Sequence, residues 1–210
     1  MEFLTIAILH FFAVSSPGPD YIIVTRQSVR SGRAAALYTS LGIAFGILVH
    51  CFAAMTGLTY IISSNPFIFL CLKIIAACYL GYLGFISIFN SNTDEDDHIE
   101  SPVLTSDYLY SFRMGFITNV LNPKAILFFI TVFSIVLDSS TSLILLSLYG
   151  TYMSLATFVW FAFISYLFTN NEIVKKYGKF SSKFEKILGC VLLLIAFQII
   201  LYELPNLNVY

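Results

Sequence analysis

Apolar positions run through this chain in long blocks. From Ala34 to Leu72 there is no Asp, Glu, Lys or Arg, and from Ile74 to Thr93 there is again none. Uncharged apolar runs of about 20 residues or longer predict transmembrane helices. Six spans fit the pattern, at about residues 3–24, 36–62, 66–89, 112–137, 143–168 and 187–204. Two of them are interrupted. The first contains Ser16-Pro17-Gly18-Pro19-Asp20 and the fourth contains Asn119-Val120-Leu121-Asn122-Pro123-Lys124. Proline removes a backbone donor and blocks continuation of a helix, so both spans are predicted to unwind locally.

Composition agrees with a membrane chain. Apolar residues make up 58% and charged residues 11%, against about 25% charge in a soluble domain; mean hydropathy is +0.85. The net charge of -1 gives no support to a nucleic-acid partner. Cys51, Cys71, Cys78 and Cys190 lie in apolar segments without ligand spacing and read as small buried hydrophobes, so no metal and no cofactor is expected. Residues 1–14 lack a basic n-region, so the first segment is expected to stay as a span.

Lysine and arginine set the expected orientation. Arg26, Arg30 and Arg33 lie between spans one and two, Arg113 at the entry to span four, and Lys175, Lys176, Lys179, Lys183 and Lys186 between spans five and six. The loops at 63–65 and 138–142 have neither residue type. The three basic loops are therefore expected in the cytoplasm and both termini outside. The acidic run Asp94-Glu95-Asp96-Asp97 falls in a polar loop, residues 91–111, on the cytoplasmic side and reads as a solvated linker.

Three spans per half (residues 1–90 and 112–210) put the halves in opposite orientations. The fold expected is an all-α membrane protein, a single transporter domain of six transmembrane helices in two inverted three-helix repeats, with helices one and four broken. Aligning Pro19 with Pro123 matches Gly18 with Asn122 and Asp20 with Lys124. Leu41-Gly42-Ile43-Ala44 then faces Tyr149-Gly150-Thr151-Tyr152, and Lys73-Ile74-Ile75-Ala76 resembles Lys186-Ile187-Leu188-Gly189.

Broken helices at matching places in two halves point to a substrate site within the membrane. Freed backbone groups in hydrocarbon need partners, so such breaks survive only in protein or beside a watery cavity. The half-helix beginning near Asp20 offers free N–H groups and the positive end of a helix dipole, which suits a substrate carboxylate. Asp20 and Lys124 are opposite charges at equivalent positions. Deep in the membrane they should pair with each other or with a zwitterion, and Asp20 is also a candidate proton carrier. Lys73 is either an interfacial, snorkelling side chain or an accessory charge of the site. Gly42 and Gly46, like Ala77 and Gly81, have the spacing of close helix packing. His10 and His50 read as lone intramembrane residues held by structural hydrogen bonds. Tyr79 and Tyr82 read as packing or interfacial aromatics.

Together these residues resemble the lysine-exporter (LysE/RhtB) translocator family. The resemblance rests on Ser16-Pro17-Gly18-Pro19-Asp20, on Gly32-Arg33 with Gly42 and Gly46 downstream, on the run from Lys73 to Gly84, and on the run from Gly115 to Ala125. Ala76 stands where the family usually has glycine, and Ala35 or Ala36 where another glycine is common. The resemblance implies a bacterial inner-membrane exporter of amino acids or related metabolites, driven by an ion gradient, and a homodimer among its partners beside the substrate and the lipid bilayer.

The site expected is Pro17, Gly18, Pro19 and Asp20 from one half and Asn119, Asn122, Pro123 and Lys124 from the other. Asp20 would face the substrate amine or carry a proton, Lys124 the carboxylate, and Asn119 would add hydrogen bonds. Asp20, Lys73 and Lys124 sum to about +1, which favours a neutral substrate such as threonine, homoserine or leucine over lysine. No His-Glu-x-x-His, no Gly-x-Ser-x-Gly and no carboxylate pair occurs in the spans, so no enzyme is expected. A membrane scaffold or assembly subunit and an exporter of another solute such as a metal ion stay open as alternatives.

Overall fold

A computed structural model describes residues 2–64, 66–89, 107–136, 142–170, 186–187, 189–194 and 196–202. Helices make up the described chain: α1 Glu2–Ser15, α2 Pro19–Arg30, α3 Gly32–Ser64, α4 Pro66–Phe89, α5 Tyr108–Val120, α6 Pro123–Val136, α7 Leu143–Phe168 and α8 Gly189–Tyr202. The acidic run at 94–97, the loop at 138–141 and the lysines at 175–183 lie outside the described residues.

Long uncharged sequence becomes long helix. By length and composition α3 and α7 can each cross a bilayer. α1 with α2, and α5 with α6, pass the same test as pairs, bent by 54° and 57°. The bends sit at the prolines the sequence marks. Pro17 and Pro19 offer no N–H to the carbonyls of Ala13 and Ser15, and Pro123 offers none to Asn119. Within α4 a shorter stretch, Ala77–Ile86, is apolar, as is α8.

Three boundaries differ from the sequence expectation, one of them the start of α3 at Gly32, four residues before the expected 36. α2 continues past residue 24 to Arg30, through the polar stretch that reads as a loop; Arg30 in its last turn complements the negative end of the helix dipole. α5 begins at Tyr108, four residues before the expected start, because Asp107 caps it: its carboxylate accepts from the Tyr110 N–H at 2.9 Å. Between α2 and α3 only Ser31 intervenes. Gly32 makes that reversal at φ +84°, the left-handed region glycine tolerates.

α3 is the central element. It packs most closely on α5, and also on α7, α2 and α6, while α4 packs on α6. The α3–α5 approach is glycine-mediated from both sides. A Cβ on Gly42 would collide with the Phe112 carbonyl oxygen, and one on Gly115 with that of Thr39. The hydroxyl of Thr39 also donates to the Ser111 carbonyl at 3.2 Å. Gly42→Ala and Gly115→Ala are each expected to cost about 1–3 kcal/mol or more by overpacking. Gly57, with nothing near its missing Cβ, is the control. Thermal unfolding of the three variants in detergent checks this; equal midpoints would remove the packing role.

One core gathers Ile6, Leu9, Ile47, Phe129, Val132 and Met153 from α1, α3, α6 and α7. A second joins Val24, Ile43, Phe161 and Ile164, and a third packs Leu80 of α4 on Leu192 and Ala196 of α8. Outside, Phe52 is 66% exposed, Val159 65% and Leu194 68%. Large apolar side chains at such exposure would be a liability in water; against acyl chains they are solvated.

Candidate functional site

The two breaks meet. One pocket is lined by Ser16, Gly18 and Asp20 from the first, by Asn122 and Lys124 from the second, and by His10, Phe128, Phe129 and Thr157 among others beyond them. Its empty space is about 440 Å³, part of it open to the outside.

Each break is completed by a side chain of the other. In the first, Gly18 is fully extended (φ 176°, ψ -177°) before α2 begins. The Lys124 ammonium reaches across to donate to the carbonyls of Ser16 at 2.6 Å and Pro17 at 3.2 Å. Gly18 makes room for its stem: a Cβ there would stand 3.2 Å from Lys124 Cδ and 3.3 Å from Nζ. In the second break the Asn119 amide donates to Asp20 Oδ2 at 2.8 Å. Asn122 precedes α6 and caps it, its side-chain oxygen accepting from the Lys124 N–H at 3.0 Å. Pro123 takes the first helical position, where its missing N–H costs least.

The expected residues fall into three groups. Gly18, Asp20, Asn122 and Lys124 line the pocket, with Asn122 buried. Pro17, Pro19 and Pro123 are exposed and shape the backbone rather than the lining. Asn119 is fully buried behind Asp20. Asp20 and Lys124 share the pocket, yet their hydrogen bonds go to Asn119 and to the carbonyls of Ser16 and Pro17. Oδ1 of Asp20 is buried without a hydrogen-bond partner among the described residues. An ammonium also has three donors, of which the two carbonyls use two. The pocket thus presents an unused acceptor and an unused donor, the complement of a zwitterion. Gly46 and Gly42 lie on α3 against Asn119 and Phe112. The side chain of Lys73, in α4, lies outside the described residues.

His10 and His50 are both buried and hydrogen-bonded. His10 Nε2 pairs with the Thr157 hydroxyl at 3.0 Å, and His50 Nε2 with the Asn119 carbonyl at 2.9 Å. Sequence reasoning did not single out Thr157 or the Ser16 carbonyl. Thr157 is one of several hydroxyl residues in α7, and nothing local separates it from Thr151 or Ser154. Only its place opposite His10 does.

Comparison with known proteins gives a consistent picture. Residues 11–203 match the family model described as LysE type translocator. The uncharacterized membrane protein YrhP of Bacillus subtilis is 31% identical over 184 residues, covering 84% of this chain and 87% of its own. The threonine efflux protein of Salmonella typhi is 28% identical over 194 residues, 91% of this chain and 93% of its own. The uncharacterized membrane protein YahN of Escherichia coli is 28% identical over 188 residues, 90% and 83% respectively. No solved structure matches.

Proposed function

This chain belongs to the LysE type translocator family, and from that premise we propose that it exports a small neutral amino acid across the bacterial inner membrane by proton-coupled alternating access. The observation that carries the reading is the pocket where two broken helices exchange side chains, with, among the described residues, an unpaired Asp20 oxygen and a Lys124 ammonium held by two carbonyls. A substrate carboxylate would draw Lys124 away from Ser16 and Pro17, while its ammonium takes Oδ1 of Asp20. Both half-sites would then move with the substrate, which is how a bound zwitterion can bias a two-state transporter. Asp20 also suits the return leg, binding a proton in place of the amine.

The six-span architecture belongs to the same proposal. α1–α2 and α5–α6 serve as broken spans one and four, α3 and α7 as spans two and five, and α4 and α8 as spans three and six. Nearly equal bends at matched prolines support the inverted repeat. Arginine and lysine placement supports cytoplasmic basic loops and outer termini, and a homodimer is the assembly we propose.

Beyond its charged end the pocket is walled by Phe128, Phe129, Phe161, Ile47 and Ala13, and its lining also includes the polar side chains of His10, Thr157 and Tyr21. A short substrate side chain points that way, and a hydroxyl on it can donate to a lone pair of the Thr157 oxygen. Relatives named threonine efflux proteins are in keeping with such a substrate. Thr157→Val keeps the shape and removes the hydroxyl. It is expected to lower the threonine-to-valine export ratio by roughly three- to tenfold, the worth of one neutral hydrogen bond. Equal loss for both substrates would instead make the pair a helix clamp.

The test of the overall reading is efflux from cells loaded with a panel of amino acids, with and without an uncoupler. Faster efflux of threonine and its close analogues, abolished by the uncoupler, is expected. An unchanged panel with the protein verified in the membrane would refute amino-acid export.

A further inference from the structure

A proline four residues after a carbonyl removes the donor that a helix would give it. Asn119 is in that position, four before Pro123, and it is fully buried in a helix end that bends by 57°. Its carbonyl accepts from the Asn122 N–H at 3.0 Å, which tightens the last turn. The second bond comes from His50 on α3, at 2.9 Å. A carbonyl only accepts, so Nε2 of His50 carries the hydrogen. The ring is itself fixed, stacked on Phe129 at 5.6 Å and 13°. One helical turn earlier on α3, Gly46 leaves the space that the Asn119 side chain fills. From that side chain the amide runs on to Asp20. Asn119 is therefore gripped at three points, all on the first half of the chain: His50 on its backbone, Gly46 on its flank and Asp20 on its amide.

We propose that His50 is a positioning residue of the transport site: it supplies from the first half the hydrogen bond that Pro123 withholds in the second, and through Asn119 it sets the Asp20 carboxylate. The Asn119 amide holds one oxygen of Asp20 at 2.8 Å, and the other has no hydrogen-bond partner among the described residues. The carboxylate's direction into the pocket depends on where Asn119 stands. A bystander histidine in an apolar helix would leave that geometry untouched, and a buried imidazole without such a task carries a desolvation cost for nothing. The role rests on the reading of the pocket as the amino-acid site; the backbone repair itself does not.

Full-length protein in liposomes, assayed for threonine counterflow, tests this. His50→Leu is expected to raise the half-saturating threonine concentration about tenfold with the maximal rate little changed, since binding geometry rather than turnover is lost. His50→Gln, which keeps an N–H donor, is expected to return most of that loss. In an Asn119→Ala background His50→Leu should add less than about twofold, because the two residues act through one contact. Equal behaviour of Leu and Gln, a fall in maximal rate alone, or full multiplication with Asn119→Ala would overturn the proposal. Where His50→Leu fails to accumulate, Pro123→Ala is added. It restores the missing backbone N–H and should restore accumulation, and failure to do so is equally fatal. If wild-type protein moves no threonine or other amino acid, the functional reading fails on its own. The Pro123→Ala rescue of thermal stability then still decides whether His50 repairs the break.

Discussion

Asp20→Asn is expected to reduce export by roughly ten- to a hundredfold or more while the protein reaches the membrane at wild-type levels. The substitution keeps an oxygen for the Asn119 amide, which bonds Asp20 at 2.8 Å, so the link between α2 and α5 survives. What disappears is the charge. A hydrogen bond to a charged group contributes about 1.5–3 kcal/mol, and 1.4 kcal/mol is tenfold. Leaving a substrate ammonium in the pocket without its counter-charge adds to the loss, because no other carboxylate lines it among the described residues. A carboxamide cannot take up a proton in the membrane either, so coupling is expected to fail with binding. Exchange of labelled for unlabelled substrate separates the two effects: it needs binding but no net proton movement. Wild-type exchange with lost net efflux would assign Asp20 to coupling alone, and wild-type rates in both assays would remove it from the site.

Sequence reached far along the backbone of this protein and less far into its pocket. The limits of α4 and α7, Pro66–Phe89 and Leu143–Phe168, coincide with the apolar runs: Pro66 opens α4, Ser142 caps the start of α7, and uncharged polar residues (Asn90 and Thr169) follow their ends. Both breaks lie where Pro17, Pro19 and Pro123 remove a donor, a consequence that needs no tertiary information. Hydropathy alone does not fix the extension of α2 to Arg30, because it marks where lipid ends and a helix can go on beyond it. Asp20 is in the first turn of α2, and the extension carries the end of that helix well beyond it to Arg30, whereas a span stopping near residue 24 would leave Asp20 close to the cytoplasmic edge.

Partners across the chain were beyond the reach of pattern. Aligning the two breaks brings Asp20 and Lys124 together as charges and suggests that they pair with each other or with a zwitterion. The hydrogen bonds in the structure instead go to the other break, to a side-chain amide in one case and to carbonyls in the other. Carbonyls are present at every residue, so no sequence signal picks out those of Ser16 and Pro17. His50 and His10 were visible as lone polar groups in apolar runs, but what each holds depends on which helix lies opposite. That information resides in the packing of α3 on α5 and of α1 on α7.

Lys124→Met is expected to be the more damaging change, abolishing export and destabilising the fold together. The methionine fills the stem's volume but donates nothing. The carbonyls of Ser16 and Pro17 then lose the donor that reaches them at 2.6 and 3.2 Å. The Pro17 contact is exposed, so the cost falls on the part-buried Ser16 carbonyl, and a buried acceptor left without a partner costs about 1–3 kcal/mol. Pro17 and Pro19 disfavour helical backbone at the residues before them, Ser16 and Gly18, so the segment does not close a regular helix that would satisfy these carbonyls. The midpoint of thermal unfolding in detergent should therefore fall for Lys124→Met and hold for Asp20→Asn, although both lose export. Arginine should not rescue, since Gly18 stands against the lysine stem with no allowance for a wider head. Gly18→Ala tests the same space from the other side: its extended backbone accepts alanine, so any loss of export there comes from pushing the ammonium off its carbonyls. Unchanged stability in Lys124→Met would mean that the ammonium does not hold the first break. Its role would then reduce to a charge for the substrate, and the mutual completion of the two half-sites would not be what keeps them together.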